Sequence, residues 1–154
     1  MVVRRKAMDY FEDVYPFADA AEDKLAEVDD DMSRLHESVR IFLLVHGAQG
    51  VIDNGGYRYF FEADWPNTPP YEVFASAYEM IGCAKQAADL RRIVTTFPFA
   101  DPHLHSKKRQ AFIDTRYDKK KFCVPEWGNA LCGDEDVWKK LAKYGKKHKK
   151  DFAS

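Results

Sequence analysis

VRIFLLVHGAQGVIDNGGYRYFF, residues 39–61, is the longest apolar run of the chain, and one turn signal, Asn54-Gly55-Gly56, interrupts it. From Ile41 to Ile52 the apolar side chains would cover all sides of a helix, which is typical of a helix buried among others. Glycine adopts the positive φ that often ends a helix at no steric cost. We therefore predict a helix that begins near Ser33, is buried over residues 39–52, and is followed by a short aromatic helix.

Further helices are predicted around this one. Apolar residues recur at steps of three and four over five other stretches, namely 5–28, 70–82, 84–97, 107–117 and 135–149. Pro16 predicts a kink or a break in the first stretch, near Tyr15. No stretch alternates as a strand does. We predict one all-α domain over residues 1–154, a compact bundle of six or seven helices around the helix 39–52.

Charge is unevenly distributed along the chain. Residues 1–65 hold 7 Lys+Arg and 14 Asp+Glu, a formal charge of −7, whereas residues 105–154 hold 14 and 7, a charge of +7. An acidic face is usually only solvated, but a row of carboxylates can also imitate DNA phosphates and attract a DNA-binding protein. The candidate partner surface consists of the carboxylates opposite the first apolar stripe: Asp9, Glu12, Asp13, Asp19, Glu22 and Asp23.

Polar residues in and after the apolar run form a candidate ligand site: His46, Asp53, Asn54 and Tyr57. A histidine and a carboxylate can perform acid–base chemistry. His46 and Asp53 are seven positions apart, which is about 10 Å along a helix, so a hydrogen-bonded core histidine is the competing interpretation. No nucleophile elbow, phosphate-binding loop or dinucleotide fingerprint occurs, and we predict no catalytic residue and no cofactor.

The cysteines and histidines do not predict a metal site. Cys123 and Cys132, even with His103 and His105, lack the close pairs that fix two zinc ligands in one turn. Three cysteines without regular spacing also argue against a disulfide framework. No apolar segment has the length of a bilayer span and no secretory signal is evident, so the expected location is the cytoplasm.

The lysine-rich segment from Lys139 to Lys150 suggests a third possible function, the binding of nucleic acid through phosphates. The aromatic residues of this segment, Trp138 and Tyr144, fall at inward-facing spacing and do not form a stacking surface. A solvated helix face is the more common explanation of such a run, so we do not expect nucleic acid as the partner.

Residues 51–61, VIDNGGYRYFF, carry a family resemblance. A buried helix, Asn-Gly-Gly and then aromatics resembles the signature of a bacterial family, the DNA-mimic-protein C-terminal-type helical domain. The similarity continues through residues 71–82 and into the segment from Trp138 to Phe152. Val51 and Tyr59 differ from the Glu and Gln that are frequent there. The signature residues are Asn54, Gly55, Gly56, Tyr57, Phe60 and Phe61.

The resemblance implies a compact helical domain without established enzymatic activity. The best-known type of member is an acidic protein that imitates DNA and binds a transcription factor. We therefore expect a non-enzymatic domain that binds another protein, with an enzyme or small-ligand binder as the alternative.

Overall fold

The computed structural model describes residues 2–154, with side chains described from Glu12 onward. Over that range the chain forms seven α-helices: α1 Val2–Glu27, α2 Glu37–Glu62, α3 Tyr71–Met80, α4 Ala84–Val94, α5 Ser106–Arg116, α6 Glu135–Lys147 and α7 Lys149–Phe152. Two short 3-10 turns lie at Met32–Arg34 and Pro102–Leu104. The described residues contain no β-strand, so the predicted all-α bundle is confirmed.

The second helix, α2, is the centre of the bundle. It contacts α1, α3, α5, α6 and α7. Five apolar side chains in the part of α2 before the Asn-Gly-Gly turn have no solvent exposure: Val39, Phe42, Val45, Ala48 and Ile52. Burial of a large apolar side chain contributes about 1.5–3 kcal/mol, so this helix supplies a large share of the core. The predicted central buried helix is therefore confirmed.

The Asn-Gly-Gly turn breaks α2 where the sequence predicts a junction. Gly56 has φ +68° and ψ −166°, outside the helical region, and Gly55 has an extended φ of −157°. Helical geometry then resumes and continues to Glu62. Beyond the break, Tyr57, Phe60 and Phe61 are buried.

The structure differs from the sequence-based expectations at two places. Of the two alternatives predicted at Pro16, a kink or a break, the break is wrong, because α1 is continuous from Val2 to Glu27. Pro16 is exposed, so the carbonyl that loses its N–H partner can bind water while the buried side chains of Val14, Ala18 and Ala21 hold the helix on the core. The second helix begins at Glu37, because the side chain of Asp31 accepts a hydrogen bond from Ser33 N and caps a separate 3-10 turn.

None of the helices in the described part of the chain is long and apolar enough to cross a membrane.

Candidate functional site

An open groove of about 600 Å³ lies between the start of α4, the loop that precedes α6, and α6 itself. Its polar lining comes from seven side chains and one exposed glycine: Tyr57, Lys85, Gln86, Asp89, Asp134, Asp136, Lys140 and Gly82. The break at Gly55-Gly56 directs Tyr57 into this groove. The groove is thus lined by one of the predicted signature residues, Tyr57.

Tyr57 forms the inner end of a hydrogen-bond chain in the groove. Its hydroxyl donates to Asp89 Oδ2 at 2.5 Å, and Asp89 Oδ1 accepts from Arg92 Nε and Nη2 at 3.0 and 2.8 Å. Burial, followed by the bond to Asp89, raises the pKa of Tyr57 above its usual value. The phenol therefore stays protonated at neutral pH and acts as a donor. Arg92 also donates to the carbonyl of Glu126, and this bond connects the loop between α5 and α6 to α4.

Asp53 holds the loop before α6 against α2. Its Oδ1 accepts from Gln49 Nε2 at 2.7 Å and from the backbone N–H of Gly133 at 2.8 Å, and its Oδ2 accepts from Trp138 Nε1 at 2.8 Å. Three donors occupy this carboxylate, so in the described structure it links elements that are about eighty residues apart in sequence.

Gln49 is a buried polar residue that sequence reasoning missed. Its side chain has no solvent exposure. Nε2 donates to Leu131 O at 2.8 Å as well as to Asp53, and Oε1 accepts from the Tyr78 hydroxyl at 2.9 Å. Burial raises the pKa of Tyr78 well above its usual value, which keeps this donor protonated. The side chain of Gln49 thus joins α2 to α3 through Oε1 and to the loop before α6 through Nε2.

His46 and Asn54 lie away from the groove. The His46 ring stacks on Phe42 at 5.9 Å between centroids and meets Trp138 edge-on at 5.8 Å. Burial lowers the pKa of His46, so the ring is neutral at pH 7. Asn54 is exposed. Of the four residues of the candidate ligand site, Tyr57 lines the groove, while Asp53 and His46 have structural partners on α6.

Arg109 is the second buried polar residue without a sequence signal. It follows Lys107 and Lys108 and resembles part of a solvated basic run, yet it is 2% exposed, whereas the apolar Ala111 on the same helix is exposed. Its guanidinium donates to Phe61 O at 2.9 Å, to Pro102 O at 2.8 Å and to Asp64 Oδ1 at 2.8 Å. This residue fastens the end of α2 to the turn before α5.

The candidate partner surface lies on the solvent side of α1. Glu12, Asp13, Asp19, Glu22 and Asp23 are all exposed, and Asp9 lies outside the residues whose side chains are described. Asp13 Oδ2 pairs with Lys146 Nζ at 3.3 Å. None of the other four carboxylates forms an ion pair with a described side chain. We call this set the α1 acidic face.

The lysines of α6 and α7 are mostly exposed. Lys140 pairs with Asp136 at 2.9 Å, and Lys146 pairs with Asp13. Trp138 and Tyr144 are 6% and 8% exposed, as their inward spacing predicts. Within the described side chains, no group of three or more His, Cys, Asp and Glu is arranged to hold a metal ion.

Residues 33–148 match the model of a protein family described as DMP19-like protein. This stretch runs from the 3-10 turn before α2 to the residue after α6, and α1 with its acidic face precedes it. Searches of curated proteins and of solved structures each found no match.

Proposed function

The chain belongs to the DMP19-like protein family, and from that premise we propose that it acts without catalysis, by presenting its α1 acidic face to a DNA-binding protein. The observation that carries the proposal is the row of exposed carboxylates on α1, of which Asp13 alone forms an ion pair with a described side chain. The partner chemistry that fits such a row is a basic surface that otherwise contacts phosphates.

The extent and orientation of the carboxylates support this partner class. Five carboxylates lie between Glu12 and Asp23, a span of about 16 Å along a helix. One strand of B-DNA places a phosphate about every 3.4 Å along its axis, so this span corresponds to about five phosphates, although the individual steps between the carboxylates are unequal. Side chains opposite the row, such as Val14 and Ala21, are buried, which orients the carboxylates toward solvent.

The basic helix α6 limits which part of the row is available. It packs against α1, and Lys146 neutralises the charge of Asp13. The contact surface is therefore centred on Glu12, Asp19, Glu22 and Asp23, which have no ion-pair partner among the described side chains.

The test compares three purified baits in pull-downs from a cell extract of the native host. The first is the wild-type chain, and the second carries Glu12→Gln, Asp19→Asn and Asp23→Asn. The third is a matched control with the same charge change at exposed sites outside α1: Asp101→Asn, Asp114→Asn and Glu135→Gln. We expect a partner that the wild type and the control retain and that duplex DNA elutes.

An exposed ion pair contributes about 0.5 kcal/mol, so loss of the three neutralised carboxylates should cost about 1.5 kcal/mol of binding free energy. The α1 variant should therefore bind that partner about tenfold more weakly. Equal retention by the α1 variant and the wild type refutes the assignment. DNA could elute the partner by binding either the partner or the bait. We expect the chain itself not to shift duplex DNA in a mobility assay at low salt, so elution by DNA would indicate competition for the partner. A shift there would instead favour phosphate binding by the lysines of α6 and α7.

A second candidate function is the binding of a small polar molecule in the groove beside Tyr57. The observation that favours it is the groove volume, about 600 Å³, which lies in the range of small-molecule sites. A ligand screen by thermal shift tests it, with Gln86→Ala to remove one lining amide. A ligand that stabilises the wild type and the Gln86→Ala variant equally argues against binding in this groove.

A further inference from the structure

A second surface, separate from the groove at Tyr57, runs between α2 and α3 toward the end of α1. Three adjoining depressions share Leu44 as a common floor residue, and Arg40 and Val73 connect the first to the second. Met32 and Pro66 connect the second to the third. We call this continuous surface the α2–α3 groove.

The floor and one wall of the α2–α3 groove are apolar. Ile41 and Leu44 lie one turn apart on α2 and keep 6% and 9% of their surface exposed. On α3, Val73 and Met80 are 38% and 56% exposed, and their seven-residue separation places them on the same side of the helix. A row of apolar side chains along a concave surface is the feature that amphipathic helices bind.

The rim of the groove is acidic. One guanidinium, that of Arg40, and six carboxylates line it, so the lining residues have a formal charge of −5. The six carboxylates are Glu22, Asp29, Asp30, Asp31, Glu37 and Glu72. Arg34 and Arg91 pair with Asp29 and Glu72 at its edge. Three net negative charges remain, so the surface favours a cationic occupant.

From this combination we propose that the α2–α3 groove binds a basic amphipathic helix of a partner protein. Apolar side chains of that helix at positions i, i+4 and i+7 contact Leu44, Val73 and Met80, and flanking Lys or Arg residues contact the acidic rim. The proposal goes beyond the α1 acidic face, because Leu44, Val73 and Met80 belong to α2 and α3, and it stands even if that face binds nothing.

The probe is a labelled synthetic peptide of about 18 residues, five helical turns, with Leu on one face and Lys on the other. A scrambled peptide of the same composition and a version with Glu in place of Lys are the controls. Binding to the full chain is measured by fluorescence anisotropy at low and at physiological salt. We expect the basic amphipathic peptide to bind at least tenfold more tightly than either control peptide.

Protein variants locate the peptide. Val73→Lys with Met80→Lys should weaken binding at least tenfold, because both apolar contacts are lost and two positive charges are added. The matched control is Tyr59→Lys with Leu104→Lys, two similarly exposed apolar residues outside the groove (47% and 56%), and it should change binding less than twofold. Arg40→Glu should tighten binding severalfold, a gain that misfolding does not produce.

Three results overturn the proposal. Equal binding of the scrambled peptide shows charge attraction without groove recognition. Equal binding to the Val73→Lys/Met80→Lys variant places the peptide elsewhere. If sedimentation shows a wild-type dimer that this variant converts to a monomer, the groove is filled by a second copy. The variant Glu12→Gln/Asp19→Asn/Asp23→Asn should retain the peptide, which separates a failure here from a failure of the α1 proposal.

Discussion

Substitution of the two glycines Gly50 and Gly56 by alanine should change stability in opposite directions, although both lie within α2. Gly56 has φ +68° and ψ −166°, a region that is essentially restricted to glycine, and a side chain there costs about 1–3 kcal/mol. A Cβ at this position would also lie 2.9 Å from Asn129 Oδ1. We expect Gly56→Ala to lower the free energy of unfolding by about 3 kcal/mol.

Gly50 provides the matched control. An added Cβ there has no heavy atom within 4 Å, and no unusual φ occurs at this position. Alanine is favoured over glycine inside a helix by about 0.5–1 kcal/mol, so Gly50→Ala should stabilise the fold. For a chain of about this size each kcal/mol shifts the melting temperature by about 2–4 °C.

Calorimetry or urea unfolding followed by circular dichroism measures both variants. Gly56→Ala should melt about 6–12 °C below the wild type and Gly50→Ala about 1–4 °C above it. Asn129→Ala combined with Gly56→Ala separates the two costs, because it removes the close contact and leaves the backbone strain. If the two glycine variants have the same stability, the break in α2 does not depend on the backbone freedom of Gly56.

Three further predictions concern one buried and two half-buried polar residues. Arg109→Met should cost about 3 kcal/mol because the carbonyls of Phe61, Ala63, Pro102 and His103 and the carboxylate of Asp64 lose their donor. Lys108→Met, at an exposed neighbour, should cost under about 0.5 kcal/mol, and urea unfolding measures both. Asp53→Asn should cost about 2 kcal/mol and alter the fluorescence of Trp138, and an unchanged spectrum and stability would contradict the linking role of this carboxylate. Folding lowers the pKa of His46 from its usual value of 6.5. Because the unfolded chain then binds the proton more readily, the free energy of unfolding decreases as pH falls below about 6.5. Urea unfolding at pH 7 and pH 5 should show a smaller decrease for His46→Gln than for the wild type.

The parts of the fold that depend on periodicity could be predicted from the sequence. The apolar pattern of residues 39–52 identifies the central helix because burial on all sides requires apolar residues on all sides. Asn54-Gly55-Gly56 identifies the break because few other residues adopt the φ of Gly56. Pro16 was misleading, since a proline on the solvent side of a helix that packs well costs less than the rule suggests.

The polar core could not be predicted in the same way. Gln49 and Arg109 are buried because their partners, such as Leu131 and Phe61, come from distant parts of the chain. A polar residue with distant partners leaves no periodic trace in the sequence, and Arg109 even follows two exposed lysines. The same reason separates Tyr57, whose partner Asp89 lies on α4, from His46 and Asp53, which both contact Trp138 on α6.

The two proposed surfaces meet at Glu22, which belongs to the α1 acidic face and also lines the α2–α3 groove. If one partner covers both, substitutions in each surface weaken the same complex, and their free energies add when the sites are not in contact. The combined variant, Asp19→Asn with Met80→Lys, should then lose the product of the two single factors for that partner. If two different partners bind, each should respond to one substitution and ignore the other. Titration of a captured partner against the wild type, both single variants and the combined variant distinguishes these cases. A response to Asp19→Asn alone assigns that partner to the α1 acidic face and leaves the groove for another basic helix.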